Sequence, residues 1–185
     1  MPRFLLLSLL GGLGLAACGD PNFLNPPNFQ NGTTSVRLWA IQGTPIHLPS
    51  AWSISGANRI RLDQSANFDF AFDITPDGRP ILLPQGIFGL LQQSGNPGFI
   101  RTEIPWEDIV FAEINGYVVN DTIPIAVGDR FYARSGSVAL CFSSLPFYAK
   151  IQIMEIDTED RAVLFRILSN LNCGYKALEE GLPTR

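Results

Sequence analysis

The residues of this sequence best suited to covalent or metal chemistry are three cysteines and one histidine. Cys18 follows an apolar run near the amino end, Cys141 and Cys173 lie in the last third of the chain, and His47 stands between two prolines. A thiolate is a nucleophile and a metal ligand, and two thiols at the right distance form a disulfide. The residues around each of these side chains therefore decide which chemistry the chain supports.

The segment that leads to Cys18 is organised like an export signal. Met1 to Arg3 provide a positive start, Phe4 to Leu15 are almost entirely apolar, and two small alanines precede the cysteine. The apolar run is shorter than the ~20 residues that a helix needs to span a bilayer, and the order of its regions is that of a cleaved signal. We therefore predict a cleaved signal helix over residues 1–17.

The residues Leu15-Ala16-Ala17-Cys18 resemble the lipobox of bacterial lipoproteins. In that family the cysteine thiol receives a diacylglycerol, the signal is cut just before the cysteine, and the new amino end is acylated, for example with palmitate. The resemblance implies lipidation at Cys18 and a membrane as partner, because two or more acyl chains anchor a protein stably. An ordinary secretory signal with a free thiol at Cys18 is the alternative.

The lipobox resemblance also implies a location. Lipoproteins of this kind are held at the bacterial cell envelope, and a glycine, Gly19, follows the cysteine. In enteric bacteria an aspartate at that position favours retention in the inner membrane. The resemblance therefore implies the cell envelope, with the outer membrane favoured over the inner membrane if the cell has one.

Cys141 and Cys173 remain as an even pair once Cys18 carries lipid. Exported proteins fold in an oxidising compartment, so we predict a disulfide between these two residues, which would stabilise the fold by about 3–4 kcal/mol in the chain-entropy model. The alternative is two buried free cysteines, because sequence gives no distance between them. Two cysteines and the single His47 do not complete a zinc set, and no metal site is predicted.

The rest of the chain predicts one domain on a tether. Residues 18–32 are rich in proline and asparagine, which favours a semi-rigid linker after the lipidated cysteine, although Phe23 and Phe29 could dock on the domain. Residues 33–178 are long enough for a single β domain with its own core. We assign residues 179–185 to a short tail.

A hydrophobic period of two dominates the predicted domain. The clearest strand, Asn67 to Ile74, places Phe68, Phe70, Phe72 and Ile74 on one face and Asn67, Asp69 and Asp73 on the other. Successive side chains of a strand point to opposite faces of its sheet, which predicts one core face and one solvated face here. Thr75 to Arg79 then contain the proline and glycine of a tight turn into the next strand.

Further strands follow the same pattern between turn signals. They are predicted at 35–41, 58–62, 81–83, 99–104, 109–114, 117–119, 130–134 and 138–142, and in a final hairpin of 147–156 with 162–168. Asn115-Gly116 is a strong signal for a two-residue hairpin turn between 109–114 and 117–119. About nine or ten short strands indicate an all-β fold, either an antiparallel β-sandwich or a partly open β-barrel.

Charge and composition exclude one class of partner. The chain carries 13 basic and 17 acidic side chains, a formal net charge of −4, and no basic cluster. Nucleic acid binding needs a positive surface that faces the phosphates, so no nucleic acid partner is expected.

His47 is the only histidine available as a base for a serine triad. It lies between Pro45 and Pro49, no serine stands in a Gly-x-Ser-x-Gly motif, and no oriented partner for the imidazole can be named. We interpret His47 as a loop residue and predict no catalytic residue.

A calcium loop is suggested by Asp73, Thr75, Asp77 and Gly78, whose spacing matches the first half of that motif. The closing acidic position is occupied by Pro84. A hairpin turn explains the same residues, and we prefer it.

Four acidic residues lie near Trp106 in sequence: Glu103, Glu107, Asp108 and Glu113. Two carboxylates at a suitable separation hydrolyse glycosidic bonds, and sugars pack on aromatic platforms. Acidic residues at alternate positions are also typical of the solvated face of a strand, which is the other explanation for this cluster. This cluster is the basis of an alternative function, a carboxylate-based hydrolase that acts on envelope carbohydrate.

Two further resemblances concern the predicted domain. Phrases such as Gly43-Thr44-Pro45 and Phe70 to Ile74 are similar to those of uncharacterised envelope lipoproteins. Tyr148-Ala149-Lys150, at the start of a strand, is similar to a strand of haem-capturing lipoproteins. The mature chain offers only His47 and Met154 as iron ligands, so no cofactor is expected.

These observations together predict a lipid-anchored protein of the cell envelope that is not an enzyme. We expect a binding or structural module whose partner is another envelope protein, a peptide or a glycan.

Overall fold

The computed structural model describes residues 24–90, 95–136, 141 and 145–183. The predicted signal, Cys18 and the first part of the predicted tether lie outside the described residues, as does the predicted strand 138–142 except for Cys141. None of the helices within the described ranges is long and apolar enough to cross a membrane.

The described chain is all-β, as the sequence predicts. Its strands are β1 (Gly32–Trp39), β2 (Ala51–Ser53), β3 (Asn58–Ile60), β4 (Phe70–Ile74), β5 (Pro80–Pro84), β6 (Gly98–Thr102), β7 (Ile123–Pro124), β8 (Arg130–Arg134), β9 (Tyr148–Asp157) and β10 (Ala162–Asn170). The described residues also form two 3₁₀ helices, at Gln85–Phe88 and Trp106–Asp108.

The strands form two antiparallel sheets of five strands each. The first sheet has the order β1-β10-β9-β8-β6, and the second has the order β3-β2-β4-β5-β7. Their inner faces share one apolar core, which makes the fold a sandwich. Of the two architectures that the strand pattern left open, the sandwich is the one observed.

The predicted final hairpin is confirmed as β9 and β10. It is the longest strand pair, with Ala162 opposite Asp157 and Asn170 opposite Tyr148. Its register shifts by one residue between Leu164 and Phe165, which is a β-bulge. A bulge increases local twist and lets a long pair curve over a core.

Aromatic rings join the two sheets in the core. The ring centroid of Phe70 on β4 lies 5.0 Å from that of Phe99 on β6 and 5.8 Å from that of Phe165 on β10. All three rings are almost completely buried. Burying one such side chain stabilises a fold by ~1.5–3 kcal/mol, so these contacts help to hold the two sheets together.

The predicted solvated face of the strand 67–74 is confirmed for Asn67, which is exposed, and is wrong for Asp69 and Asp73. Every residue of β4 is buried, and the side chains of Asp69 and Asp73 are only 6% and 5% exposed. Loops cover this face: the N–H of Gln42 donates to Asp73, and Ala71 belongs to a second apolar cluster on that side. Alternation identified the strand correctly but could not reveal what packs on its polar side.

The predicted hairpin at Asn115-Gly116 is also not formed. Within the described ranges, residues 109–114 and 117–119 make isolated bridges in place of a strand pair, Phe111 with Ala177 and Phe99 with Val118. Gly116 does adopt the positive φ of a turn, at +93°. The segment instead packs on the outer face of the first sheet, where a further apolar cluster contains Trp106, Ile109, Ala112, Tyr132, Tyr148, Leu168 and Leu178.

Candidate functional site

The predicted disulfide between Cys141 and Cys173 is confirmed, with the two Cα atoms 5.4 Å apart. It ties residue 141, which precedes β9, to the chain that leaves β10. Cys173 also lines a cleft at this end of the sandwich. The disulfide therefore fixes one wall of that cleft.

The cleft has a volume of about 840 Å³. Small-molecule sites in proteins commonly have volumes of ~300–1,000 Å³. Its walls come from the amino-terminal residues 25–29, the turn after β2, the loop before β4, and residues 171–173. Both sheets and the amino-terminal segment thus meet at this site.

Asn172 holds the amino-terminal segment in place as a wall of the cleft. Its side-chain oxygen accepts hydrogen bonds from the N–H groups of Asn28 and Phe29 at 2.8 and 3.0 Å, and its amide donates to the Phe29 carbonyl at 2.8 Å. The Tyr175 hydroxyl donates to the Asn25 carbonyl at 3.0 Å. The described part of the predicted tether is therefore hydrogen-bonded to the β domain.

Asn31 fastens the same segment at its other end. The N–H of Asn31 donates to the Gly181 carbonyl at 2.7 Å, and the N–H of Gly181 donates to the Asn31 carbonyl at 3.0 Å. The Asn31 side chain is buried and donates to the carbonyls of Ala177 and Glu179. These bonds connect the entry to β1 with the carboxyl-terminal residues.

Leu24 approaches the turn after β10 closely. A Cβ atom at Gly174 would lie 2.9 Å from a methyl group of Leu24 and 2.8 Å from one of Leu145. Gly174 also has a positive φ of +73°. A glycine is required here for both reasons, because a side chain would meet its neighbours and would strain the backbone.

Asp69 is a buried carboxylate at the floor of the cleft. One of its oxygens accepts a hydrogen bond from the N–H of Ile54 at 2.6 Å, and the other accepts from the N–H of Gly136 at 2.9 Å. Burial raises the pKa of Asp69 to about 6. The hydrogen bonds from these N–H groups stabilise the carboxylate and offset part of that increase. A perturbed carboxyl in a cleft often marks a functional site.

The remaining lining is uncharged and combines polar with apolar side chains. Side-chain amides come from Asn25, Asn28, Asn58, Asn67, Gln85 and Asn172, and hydroxyl groups come from Ser53, Ser55 and Ser65. Apolar surface comes from Phe29, Ile60, Phe68, Phe147 and Leu171. Asp69 is the only charged side chain among the described residues of the lining.

His47 and the suggested calcium loop lie elsewhere. His47 is exposed in the loop between β1 and β2. Thr75 and Arg79 close a hairpin turn through reciprocal hydrogen bonds, and the Asp77 carboxylate pairs with Arg79 at 2.7 Å. In the part of the chain that the structure describes, no group of three or more His, Cys, Asp or Glu side chains is placed to hold a metal ion.

Trp106 is a buried anchor and not an exposed platform. Its side chain is 7% exposed, with the Lys150 amine 4.7 Å and the Arg166 guanidinium 4.3 Å from the ring centroid. Lys150 also donates to the carbonyls of Trp106 and Ile109, at 3.0 Å each. Two cationic side chains therefore lie over the indole ring, and the largely exposed Glu107 lies beside Arg166, with its carboxylate 3.8 Å from the guanidinium.

The cleft and Asp69 were not predicted as a site. The usable signal was the concentration of asparagine in residues 25–31 and 58–67. Asparagine is also a common turn residue, so its frequency alone does not distinguish a binding surface from a loop. Only the fold brings the two segments together.

In comparisons with protein-family models, with curated proteins and with solved structures, no match to this chain was found.

Proposed function

We propose that this protein is a lipid-anchored, non-catalytic binding module of the bacterial cell envelope, with the cleft as its binding site. The lipobox resemblance at Cys18 supports the anchor and the location. The observation that supports a binding role is the cleft itself. Its volume is in the range of small-molecule sites, and polar side chains contribute to its lining.

The distance between the anchor and the cleft supports the same proposal. Leu24 contacts the domain, and only five residues lie between it and Cys18. An extended chain of that length spans at most ~20 Å. A protein lipidated at Cys18 would therefore hold the cleft close to the membrane surface, where envelope components are concentrated.

The chemistry of the cleft favours binding over catalysis. Acid–base catalysis needs a titratable group within reach of the substrate proton. Both oxygens of Asp69 accept main-chain hydrogen bonds, and His47 lies elsewhere. A carboxylate-based hydrolase at Trp106 has weaker support, because the indole that would carry a sugar is covered by Lys150 and Arg166.

The anchor is tested by fractionation of cells that express the wild type or Cys18→Ser. We expect the wild type in the membrane fraction, without residues 1–17 and with acyl groups on residue 18 by mass spectrometry. We expect Cys18→Ser to lack the acyl groups. A wild-type protein that is unmodified and freely soluble would contradict the proposal.

The binding role is tested by in-cell photo-cross-linking from position 28 in the wall of the cleft. A matched probe at position 120 serves as control, because Asn120 is exposed and does not line the cleft. A specific adduct from position 28 alone is expected. Equal labelling from both positions would contradict a binding role for the cleft.

A further inference from the structure

The cleft presents side-chain amides whose backbones are hydrogen-bonded to other parts of the described chain. Asn25, Asn28 and Asn67 are exposed, and their side chains make no hydrogen bond to another residue in the described ranges. The Asn25 carbonyl accepts from Tyr175, the N–H of Asn28 donates to Asn172, and the N–H of Asn67 donates to the Ser65 hydroxyl. Each amide therefore offers donors and an acceptor from a pre-positioned backbone.

An aromatic ring lies next to these amides. Phe29 follows Asn28, lines the cleft and is 53% exposed. Phe68 lies deeper, is buried, and packs edge-to-face on Phe88 with ring centroids 5.3 Å apart. A pyranose has one apolar C–H face and a rim of hydroxyl groups, so it matches a surface made of an exposed ring and neighbouring amides.

The charge of the cleft excludes anionic ligands. Asp69 is the only charged side chain among its described lining residues, and no lysine, arginine or histidine lines it there. Burying a phosphate, sulfate or carboxylate without a cationic partner costs several kcal/mol. Nucleotides, sulfated glycans and uronic acids are therefore poor ligands for this site.

A peptide fits the lining less well than a saccharide. Extended peptides are usually held by main-chain pairing along a sheet edge. The edge strand at the cleft is β3, which contains only three residues, Asn58–Ile60. The cleft offers its hydrogen-bonding groups as side chains, which suits the scattered hydroxyl groups of a sugar.

We infer that the cleft binds an uncharged oligosaccharide, with Asn25, Asn28 and Asn67 bonding to its hydroxyl groups and Phe29 packing on a pyranose face. This inference rests on the proposed binding function and names its ligand class. Asp69 acts as a positioning residue, since it holds Ile54 and Gly136 at the floor of the site.

The test uses the full chain, purified in detergent, and isothermal titration. The probes are maltotetraose, cellotetraose, mannotetraose and chitotetraose as uncharged oligosaccharides, tetragalacturonate as an anionic one, and tetraalanine as a peptide. We expect at least one uncharged oligosaccharide to bind and the other two probes to show no heat of binding.

Two variants and a control locate the bound sugar. Asn28→Ala and Asn67→Ala should each raise the Kd of that oligosaccharide about tenfold, the equivalent of ~1.4 kcal/mol for one lost hydrogen bond. Asn120→Ala should leave the Kd unchanged. Both target side chains are exposed, so thermal unfolding should show that the variants remain folded.

Three results would overturn the inference: no binding of any uncharged tetrasaccharide, tighter binding of tetragalacturonate or tetraalanine, or an unchanged Kd in both cleft variants. Binding of tetraalanine that depends on Asn28 would overturn the saccharide ligand but leave the proposed binding module intact. Loss of membrane association in the fractionation experiment bears on the anchor alone.

Discussion

The carboxylate of Asp69 accepts a hydrogen bond from the main-chain N–H of Gly136 at 2.9 Å, across 67 positions of sequence. Asp69 directly precedes β4 in the second sheet, and Gly136 follows β8 in the first. The bond therefore connects the two layers of the sandwich at the floor of the cleft. Because Asp69 is buried without a cation in this lining, its ionisation is coupled to folding.

The first prediction concerns the pH dependence of stability. Burial raises the pKa of Asp69 to about 6 in the folded protein, above the ordinary value of 3.8. The folded state then binds the proton more tightly than the unfolded state. The stabilising contribution of Asp69 is fully present below about pH 4 and is lost as the pH rises through about 6. A shift of this size corresponds to roughly 3 kcal/mol.

Urea unfolding of the wild type and of Asp69→Asn between pH 4 and pH 7 measures this effect. The Asn variant does not titrate, so the difference in unfolding free energy between the two proteins isolates Asp69. We expect the advantage of the wild type to shrink as the pH rises. A constant difference, or one that grows with pH, would show that the pKa of Asp69 is not raised.

The second prediction concerns the three hydrogen bonds, called the clamp below, by which the Asn172 side chain holds residues 28 and 29 against the domain. Asn172→Ala removes the partner of two N–H groups and one carbonyl, on Asn28 and Phe29. We expect the unfolding free energy to fall by about 2–3 kcal/mol, since each of the three lost bonds contributes ~0.5–1.5 kcal/mol. Proteolysis within residues 24–31 should become faster under native conditions.

The exposed Asn120→Ala is the matched control for this clamp and should change stability by less than ~0.5 kcal/mol. If Asn172→Ala lowers the global stability while proteolysis of the segment keeps its wild-type rate, the segment is held by other contacts. The clamp would then be a minor feature of the fold.

The third prediction concerns the disulfide. Cys141 and Cys173 are 32 positions apart, and closing a loop of this length restricts the unfolded chain. Replacing both with serine should lower the unfolding free energy by about 3–4 kcal/mol in the chain-entropy model. Chemical denaturation with and without reductant checks this. Reductant should destabilise the wild type and leave the double variant unaffected; equal stability of all samples would contradict the prediction.

Some features of this molecule follow from the sequence, and others depend on three-dimensional contacts. Alternation predicted β4, and the β9–β10 hairpin followed from two apolar runs around a polar turn, because local periodicity determines which side chains share a face. The disulfide followed from cysteine number and the expected compartment. These predictions depend on short-range patterns that tertiary packing did not override.

The features that were mispredicted depend on distant partners. Asp69 alternates like a solvated residue, but Gly136 and Ile54 cover it from other parts of the chain. Residues 109–114 alternate like a strand, but Trp106 anchors this segment on the outer face of a sheet. The cleft likewise requires residues 25–29 to meet residues 171–173, and no local pattern contains that distance.

The last prediction concerns Lys150, which fastens the segment around Trp106 to the first sheet. Its buried amine donates to the carbonyls of Trp106 and Ile109 and lies over the indole ring. Lys150→Met keeps much of the apolar stem but leaves both carbonyls without this donor. We expect a loss of about 1–3 kcal/mol in unfolding free energy, because buried carbonyls that lose their partner are costly.

Hydrogen exchange distinguishes this local role from a general loss of stability. The amide of Ala112 donates to Lys176 and that of Leu178 donates to Val110, so both report on the anchored segment. In Lys150→Met these amides should exchange faster, whereas amides in the core of β4 should keep most of their protection.

The control is Lys176→Met, which removes the other lysine of the chain. It should leave the protection of both amides unchanged, because Ala112 donates to the main-chain carbonyl of Lys176 and not to its side chain. Uniformly faster exchange across the sandwich in Lys150→Met would show that the anchor is not a separate unit.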